Sequence, residues 1–174
     1  LTAAPQYTLL YRVPTDNDRS FVAESTMVNY LCQREFVRGV DTEKLTVETE
    51  IKCRRQSFTC YDTYEPCGEG VKVTSRLVCT AGEGSLPRFG KAFRLEERFD
   101  DVRYIGRGGE SYRDMFDHEQ IGEYTAKVCD MTEPNIKPQE SGSRYQTTVA
   151  ELSDGETKFT FTALEQPFEL GIKP

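Results

Sequence analysis

The chain has 174 residues, and its 29 acidic and 22 basic side chains give a formal net charge of −7. This length fits one domain better than two, and the acidic balance argues against nucleic-acid binding or a polybasic membrane contact. No apolar run approaches the ~18 residues that a membrane-spanning helix needs. Aromatic residues make up 11% of the chain, which is too many for a disordered protein.

Taken in chain order, most segments alternate apolar and polar residues with the period of two that is typical of β-strands. The predicted strands are 7–13, 44–53, 56–64, 71–79, 92–95, 102–105, 124–128, 144–152, 158–163 and 167–170. Turn residues at 65–68 and 153–156 separate neighbouring strands. Segment 25–36 is the best predicted helix, because Ser25 offers an N-cap and Met27, Tyr30 and Leu31 have helical spacing. The sequence therefore predicts an all-β fold, an antiparallel β-sandwich with one or two short helices.

Six cysteines leave two interpretations of the redox state. An even number in a secreted domain would indicate disulfides, with 15 pairings open for six cysteines. Because no CxxC motif occurs and the Cys content is below that of disulfide scaffolds, we expect reduced thiols. The single histidine, His118, and the lack of paired Cys or His spacing predict no metal site.

Motifs of catalytic chemistry are scarce in this sequence. GxSxG, HExxH and the P-loop do not occur. The glycines of 106–109 follow a strand, and a bend or tight turn is a better interpretation than a phosphate cradle. The adjacent carboxylates Glu96–Glu97 and Asp100–Asp101 would point to opposite faces of a strand, so they do not predict the converging acids of a glycosidase.

Four phrases in the sequence are not explained by composition. Arg12 begins RVPTDND, Leu86 begins LPRFG, Val102 begins VRYIGRGGESYRD, and Pro134 begins PNIKPQESGSR. In this order they resemble the C-terminal small-chain domain of glycoside hydrolase family 2 β-galactosidases, whose corresponding phrases are W-R-A-P-T-D-N-D, L-P-R-x-G, Y-G-R-G-P-x-E-N-Y-x-D-R and P-Q-E-x-G-x-R. The resemblance extends over nearly the whole chain, from Tyr11 to about residue 170.

The sequence departs from the family pattern at several points. Tyr11 stands where the family usually has Trp, the GRG phrase is one residue shorter and lacks its Pro, and Met115 replaces an Arg. The family domain also runs on through further strands. We therefore expect residues 1–174 to be a single, incomplete β-sandwich domain excised from a larger multidomain enzyme.

The resemblance implies a galactose-mutarotase-like supersandwich that packs on a catalytic (β/α)8 barrel and helps to wall the active-site entrance. The parent would be a retaining enzyme that hydrolyses terminal β-galactosides with two Glu residues of the barrel, so this segment alone would not be an enzyme. Parent enzymes of the family often use Mg and Na or K ions, and no cofactor is expected on this segment.

Two groups of site residues follow from the resemblance. Asp16, Asn17, Asp18 and Arg19 are the candidates for substrate-side contact, although a plain Asx-type turn after Pro14 would use the same residue types. The other motif residues are expected to form internal hydrogen bonds or charge pairs. This structural group comprises Arg12, Pro14, Arg107, Glu110, Tyr112, Glu140 and Arg144.

The expected partners are the catalytic barrel, the other domains of the parent and a galactoside. An edge exposed by missing strands also predicts a homodimer. The family is bacterial and cytoplasmic in type, which predicts a cytoplasmic protein, with a secreted or periplasmic one as the alternative. Two other functions stay open: a secreted disulfide-bonded interaction domain and a free-standing carbohydrate-binding module. The module would need exposed tyrosines on one sheet face, with five candidates: Tyr7, Tyr11, Tyr61, Tyr64 and Tyr104.

Overall fold

The computed structural model describes residues 2–14, 30–31, 33–108, 119–132 and 141–174. In these ranges the regular structure is almost entirely β, in antiparallel sheets. The strands are β1 (Thr2–Leu9), β2 (Arg34–Asp41), β3 (Thr46–Lys52), β4 (Ser57–Cys67), β5 (Gly70–Ala81), β6 (Gly90–Leu95), β7 (Asp101–Arg107), β8 (Ile121–Lys127), β9 (Ser143–Thr147), β10 (Val149–Ser153), β11 (Lys158–Thr162) and β12 (Phe168–Gly171). The predicted all-β class is confirmed, and the antiparallel sheets are consistent with a β-sandwich.

The chain divides into two compact units. One comprises Thr8–Lys91, and the other combines Leu1–Tyr7 with Ala92–Pro174. Strand β1 pairs with β6 in a two-stranded sheet. The sequence-based expectation of one incomplete sandwich over 1–174 stays a prediction.

The unit of residues 8–91 is built on a four-stranded meander in the order β2-β3-β4-β5. The register places Ile51 opposite Phe58 and Thr49 opposite Cys60, so the alternate residues of β3 and β4 share one face. Ile51, Phe58 and Cys60 are buried there against Leu10 and Tyr30. The period-two pattern that predicted these two strands therefore corresponds to one buried face.

The opposite face of this meander is polar and charged. Arg38 forms an ion pair with Glu50, Lys52 lies 3.5 Å from the same carboxylate, and the guanidinium of Arg76 lies over the ring of Tyr61. Exposed charges of both signs are typical of a surface in water, because pairing them there involves little desolvation. This face is the solvent side of the sheet.

The apolar face of the meander is only partly covered. Val37 is 64% exposed, Val40 61%, Val71 63% and Val73 42%. A β-bulge between Val37 and Gly39 keeps Val40 on the same side as Val37, since Val37 pairs with Thr49 and Val40 with Val47. We call Val37, Val40, Val71 and Val73 the valine patch.

The second unit contains a four-stranded sheet in the order β11-β10-β7-β8 and a two-stranded ribbon of β9 and β12. Val102, Tyr104 and Ala150 are buried in its core together with Phe99, whose ring meets that of Phe159 edge-on at 5.5 Å. The predicted turn at 153–156 joins β10 to β11, where Asp154 accepts hydrogen bonds from the backbone N–H of residues 156 and 157.

Several predicted boundaries were wrong. Residues 34–36 of the predicted helix are strand, because β2 pairs with β3 over its whole length. Tyr30 and Leu31 are helical, and residues 25–29 and 32 of the prediction lie outside the described residues. The strand predicted at 7–13 begins at Thr2 and ends at Leu9. Pro66 lies within β4 opposite Val71, so the turn predicted at 65–68 comes at residues 68–69. An additional 3-10 turn spans Val128–Met131.

Candidate functional site

The candidates for substrate contact, Asp16, Asn17, Asp18 and Arg19, lie outside the described residues, so their role stays a prediction. The residues that lead into them are described. Arg12 and Pro14 are half-buried, and Nη1 of Arg12 donates to the carbonyl oxygen of Val13 at 3.4 Å. Glu110, Tyr112 and Glu140 also lie outside the described part of the chain.

Arg107 connects three segments of the second unit. Its Nε donates to Oε1 of Gln146 in β9 at 2.7 Å, and its Nη1 donates to the carbonyl oxygen of Glu119 at 2.6 Å. Arg107 ends β7, and Glu119 comes two residues before β8 begins. These hydrogen bonds lie within the chain and join the ends of β7 and β8 to β9.

Arg144 is a buried guanidinium, with 5% of the residue exposed. Its Nη1 is 3.3 Å from the carbonyl oxygen of Ser143, whereas its Nε makes no hydrogen bond with the residues that the structure describes. The guanidinium lies beside the hydroxyl of Tyr104. Burial raises the pKa of Tyr104 above its usual value, and the positive charge of Arg144 opposes this shift. Arg144 is therefore positioned inside the unit, next to the Tyr104 ring.

The glycines of the 106–109 phrase allow close packing. A Cβ at Gly106 would lie 2.8 Å from Oγ1 and 2.9 Å from Cα of Thr147, and one at Gly108 would meet the ring of Tyr124 at 2.5 Å. The Tyr124 ring in turn stacks on Tyr104 at 5.4 Å. Gly106 lies inside β7 rather than at a turn, so the expected bend is wrong there and close approach explains this residue.

A buried polar cluster in the unit of residues 8–91 was not predicted from the sequence. Nζ of Lys91 lies 2.6 Å from Oδ2 of Asp62, 2.9 Å from Oγ1 of Thr8 and 3.5 Å from Sγ of Cys60. The hydroxyl of Ser75 donates to Oδ1 of Asp62 at 2.6 Å. Burial raises the pKa of the Cys60 thiol, and Lys91 opposes the shift. The cluster connects β1, β4, β5 and β6, and no local motif of the sequence indicates it.

Three of the four adjacent carboxylates that could suggest a glycosidase contact basic side chains. Glu96 accepts a hydrogen bond from Arg98 at 2.9 Å, and Nζ of Lys127 lies 3.3 Å from Asp100 and 2.7 Å from Asp101.

A shallow groove of about 420 Å³ lies on the outer face of β7, β8 and β10 and includes Arg103 and Glu151 in its lining. Both of these charges are paired, because Arg103 is 2.7 Å from Glu123 and Glu151 is 2.9 Å from Lys158. The groove therefore resembles a solvent-facing sheet surface more than a binding site.

Within the described ranges, no group of three or more His, Cys, Asp and Glu side chains is arranged to hold a metal ion. Among the same residues, no helix is long and apolar enough to cross a membrane. The cysteines that the structure describes (53, 60, 67, 79 and 129) are free thiols.

The tyrosines proposed for sugar binding do not form one platform. Tyr104 is buried in the second unit, and Tyr7 is exposed. Tyr61 and Tyr64 are three residues apart on β4, so they point to opposite faces of the meander. This arrangement argues against a sheet-face carbohydrate-binding module.

Comparison with known proteins gives a consistent result. A family model described as the beta galactosidase small chain matches residues 1–170. The beta-galactosidase of Staphylococcus xylosus is 30% identical over an alignment of 166 residues that covers 88% of this chain and 16% of that enzyme. The beta-galactosidase of Streptococcus thermophilus is 29% identical over an alignment of 168 residues that covers 91% of this chain and 16% of that enzyme. The chain thus spans about a sixth of the length of these curated relatives. Because the family model covers nearly all of its residues, the chain belongs to the beta-galactosidase small-chain family.

Proposed function

We propose that this chain is a non-catalytic segment of a β-galactosidase-like enzyme, and that it packs on the catalytic (β/α)8 barrel and helps to wall the active-site entrance. The observation that carries the proposal is the family match over residues 1–170, combined with relatives that are beta-galactosidases about six times as long. In this proposal the parent hydrolyses terminal β-galactosides, and its two catalytic Glu residues lie outside this chain.

The ion pairs and hydrogen bonds of three acidic side chains support a non-catalytic role. A retaining glycosidase needs two carboxyl groups about 5–5.5 Å apart across the sugar, one to act as nucleophile and one as acid and base. The buried carboxylate of Asp62 is held by Lys91 and Ser75. Asp100 and Asp101 share Lys127. These acids are bound in structural ion pairs, which leaves them unsuited to either catalytic role.

The role of the substrate-side candidates at the entrance follows from the family resemblance. Arg12 and Pro14 are half-buried and form the start of the segment that continues into Asp16, Asn17 and Asp18. We propose that this base holds the polar side chains of the loop toward the sugar. The same polar residues would hydrogen-bond the galactoside without taking part in the bond cleavage.

Two proteins test the proposal. The purified chain should not hydrolyse a chromogenic β-galactoside above the buffer rate. The second protein is the S. xylosus enzyme in which this chain replaces the matched segment. It should hydrolyse the substrate, whereas the same enzyme with those residues deleted should not. Turnover by the chain alone that an Asp62→Asn substitution abolishes would refute the non-catalytic role, and equal activity with and without the segment would refute the packing role.

A variant of the chimera tests the entrance loop. Replacing Asp16, Asn17 and Asp18 with alanine should raise KM more than it lowers kcat, because the loop would bind sugar without touching the reacting atoms. An unchanged KM would place the loop away from the sugar. A cytoplasmic location, a homodimer and the Mg and Na or K ions expected for a parent enzyme stay predictions that these assays do not address.

A further inference from the structure

The two faces of the β2–β5 meander differ in a way that identifies an uncovered surface. One face carries paired charges, as a solvent-facing surface does. The other face carries Ile51, Phe58 and Cys60, which pack with Leu10 and Tyr30, and the hydrogen-bonded pair of Asp62 and Ser75. The same face holds the valine patch, whose four members are each at least 42% exposed. Apolar residues that alternate with charged ones along a strand indicate a face that something else covers.

The valine patch lies on both edge strands of the meander. Val40 on β2 pairs with Val47 on β3, and Val73 on β5 pairs with Tyr64 on β4. The residue directly opposite Val47 on β4 is Asp62, so Val47 and Tyr64 are diagonal neighbours, which remain within reach of an aromatic side chain. The apolar strip therefore crosses the sheet only by this diagonal, beside the buried carboxylate of Asp62.

The size of the strip helps to identify what covers it. Its side chains expose roughly 400 Å² of apolar surface, about half of the ~800 Å² per partner that a stable protein–protein interface buries. Such an area is too small to hold two separate proteins together well. It is sufficient for a segment of the same polypeptide, because a covalent connection provides a high effective concentration.

We propose that the valine patch docks an apolar segment of the same parent polypeptide, supplied by the large part of the relatives' length that this chain does not span. The proposal rests on the proposed function, since it requires that the chain works within a longer β-galactosidase. It adds the surface through which the segment joins the rest of the enzyme.

The first experiment compares two variants of the isolated chain. The patch variant carries Val71→Lys and Val73→Lys, and the control carries Thr74→Lys and Thr80→Lys, which add the same charge to exposed positions of the same strand. Both should match the wild type in urea unfolding midpoint and in mass by light scattering, because the valines are already exposed. A loss of stability only in the patch variant would mean that this chain covers the patch itself. A dimer that only the patch variant dissociates would mean that a second copy covers it. Either result overturns the proposal.

The second experiment uses the S. xylosus chimera and hydrogen exchange of peptides from β5. Backbone amides of this strand should exchange at least about tenfold more slowly in the chimera than in the isolated chain, because the docked segment restricts opening. The patch variant should remove this protection and the control should retain it. Equal exchange in the chimera and in the isolated chain would overturn the proposal. So would a chimera that aggregates with valines and is soluble with the two lysines, since its patch would be uncovered.

The two proposals can fail separately. Protection of β5 is measured without substrate, so it reports on docking even if the chimera is inactive. A folded, protected but inactive chimera would count against the proposed function alone, and an active chimera without protection would count against the docking surface alone.

Discussion

The buried pair of Lys91 and Asp62 offers the sharpest test of the energetics of this fold. Their side chains are only 14% and 7% exposed, and 2.6 Å separates Nζ from Oδ2. Lys91→Met keeps most of the apolar stem but removes the ammonium group. The carboxylate would then retain the Ser75 hydroxyl and lose its cation. Because breaking a buried pair leaves an uncompensated charge, we expect the free energy of unfolding to fall by about 3–5 kcal/mol.

The assay is urea unfolding followed by far-UV circular dichroism, with two further variants as controls. The double substitution Asp62→Asn with Lys91→Met removes both charges, so it should be less destabilised than Lys91→Met alone. Lys44→Met removes a cation from the exposed pair with Asp41, where the Lys44 side chain is 81% exposed, and should leave the midpoint unchanged. Equal effects of Lys91→Met and Lys44→Met would refute the reasoning, because the buried pair would then behave like a surface pair.

Two further predictions concern the second unit and the strand that leads into it. Gly106→Ala should destabilise the chain by at least about 2 kcal/mol, because its Cβ would lie 2.8 Å from the Thr147 hydroxyl. The control Gly90→Ala should be neutral in the same urea assay, because a Cβ at residue 90 meets nothing within 4 Å. Burial raises the pKa of Tyr104 in the folded chain above its ordinary value of 10.0. The neutral hydroxyl therefore contributes fully to stability below about pH 10, and this contribution is lost as the pH rises through the folded-state pKa. Tyr104→Phe should therefore flatten the decline of the unfolding midpoint above about pH 10, and a decline as steep as that of the wild type would contradict this.

The strands that the sequence predicted well are those whose pattern matches their environment. In β3 and β4 the alternating residues Ile51, Phe58 and Cys60 face the core. The Asp154 turn was predictable for a related reason. Its side chain bonds the backbone two and three residues onward, so the interaction that forms the turn is local.

The errors arise where distant pairing outweighs local preference. Residues 34–36 continue a spacing that suits a helix, but Glu35 pairs with Ile51 sixteen positions away, and the ladder to β3 decides the conformation. Local spacing carries no information about a partner strand. For the same reason the first strand was predicted to begin at residue 7, whereas β1 begins at Thr2.

In the candidate site, some residues could be identified from the sequence, but their contacts could not. The resemblance to a family singled out Arg107 and Arg144, and both bind within the second unit. Their actual partners could not be predicted, because Gln146 comes close to Arg107 only through the packing of β9 against β7. The contact of Lys91 with Asp62 likewise joins residues 29 positions apart that no motif connects. The resemblance identified the two arginines, whereas their contacts depend on which segments the fold brings together.

The bulge in β2 has a consequence for how the length of this strand can vary. Three steps along β2, from Val37 to Val40, lie opposite two steps along β3, from Thr49 to Val47. Deleting Arg38 or Gly39 would restore regular pairing and leave both valines on their present side. A deletion elsewhere in β2 would turn every side chain beyond it to the other side. The strand thus has one place where evolution or a protein engineer can remove a residue without inverting the sheet.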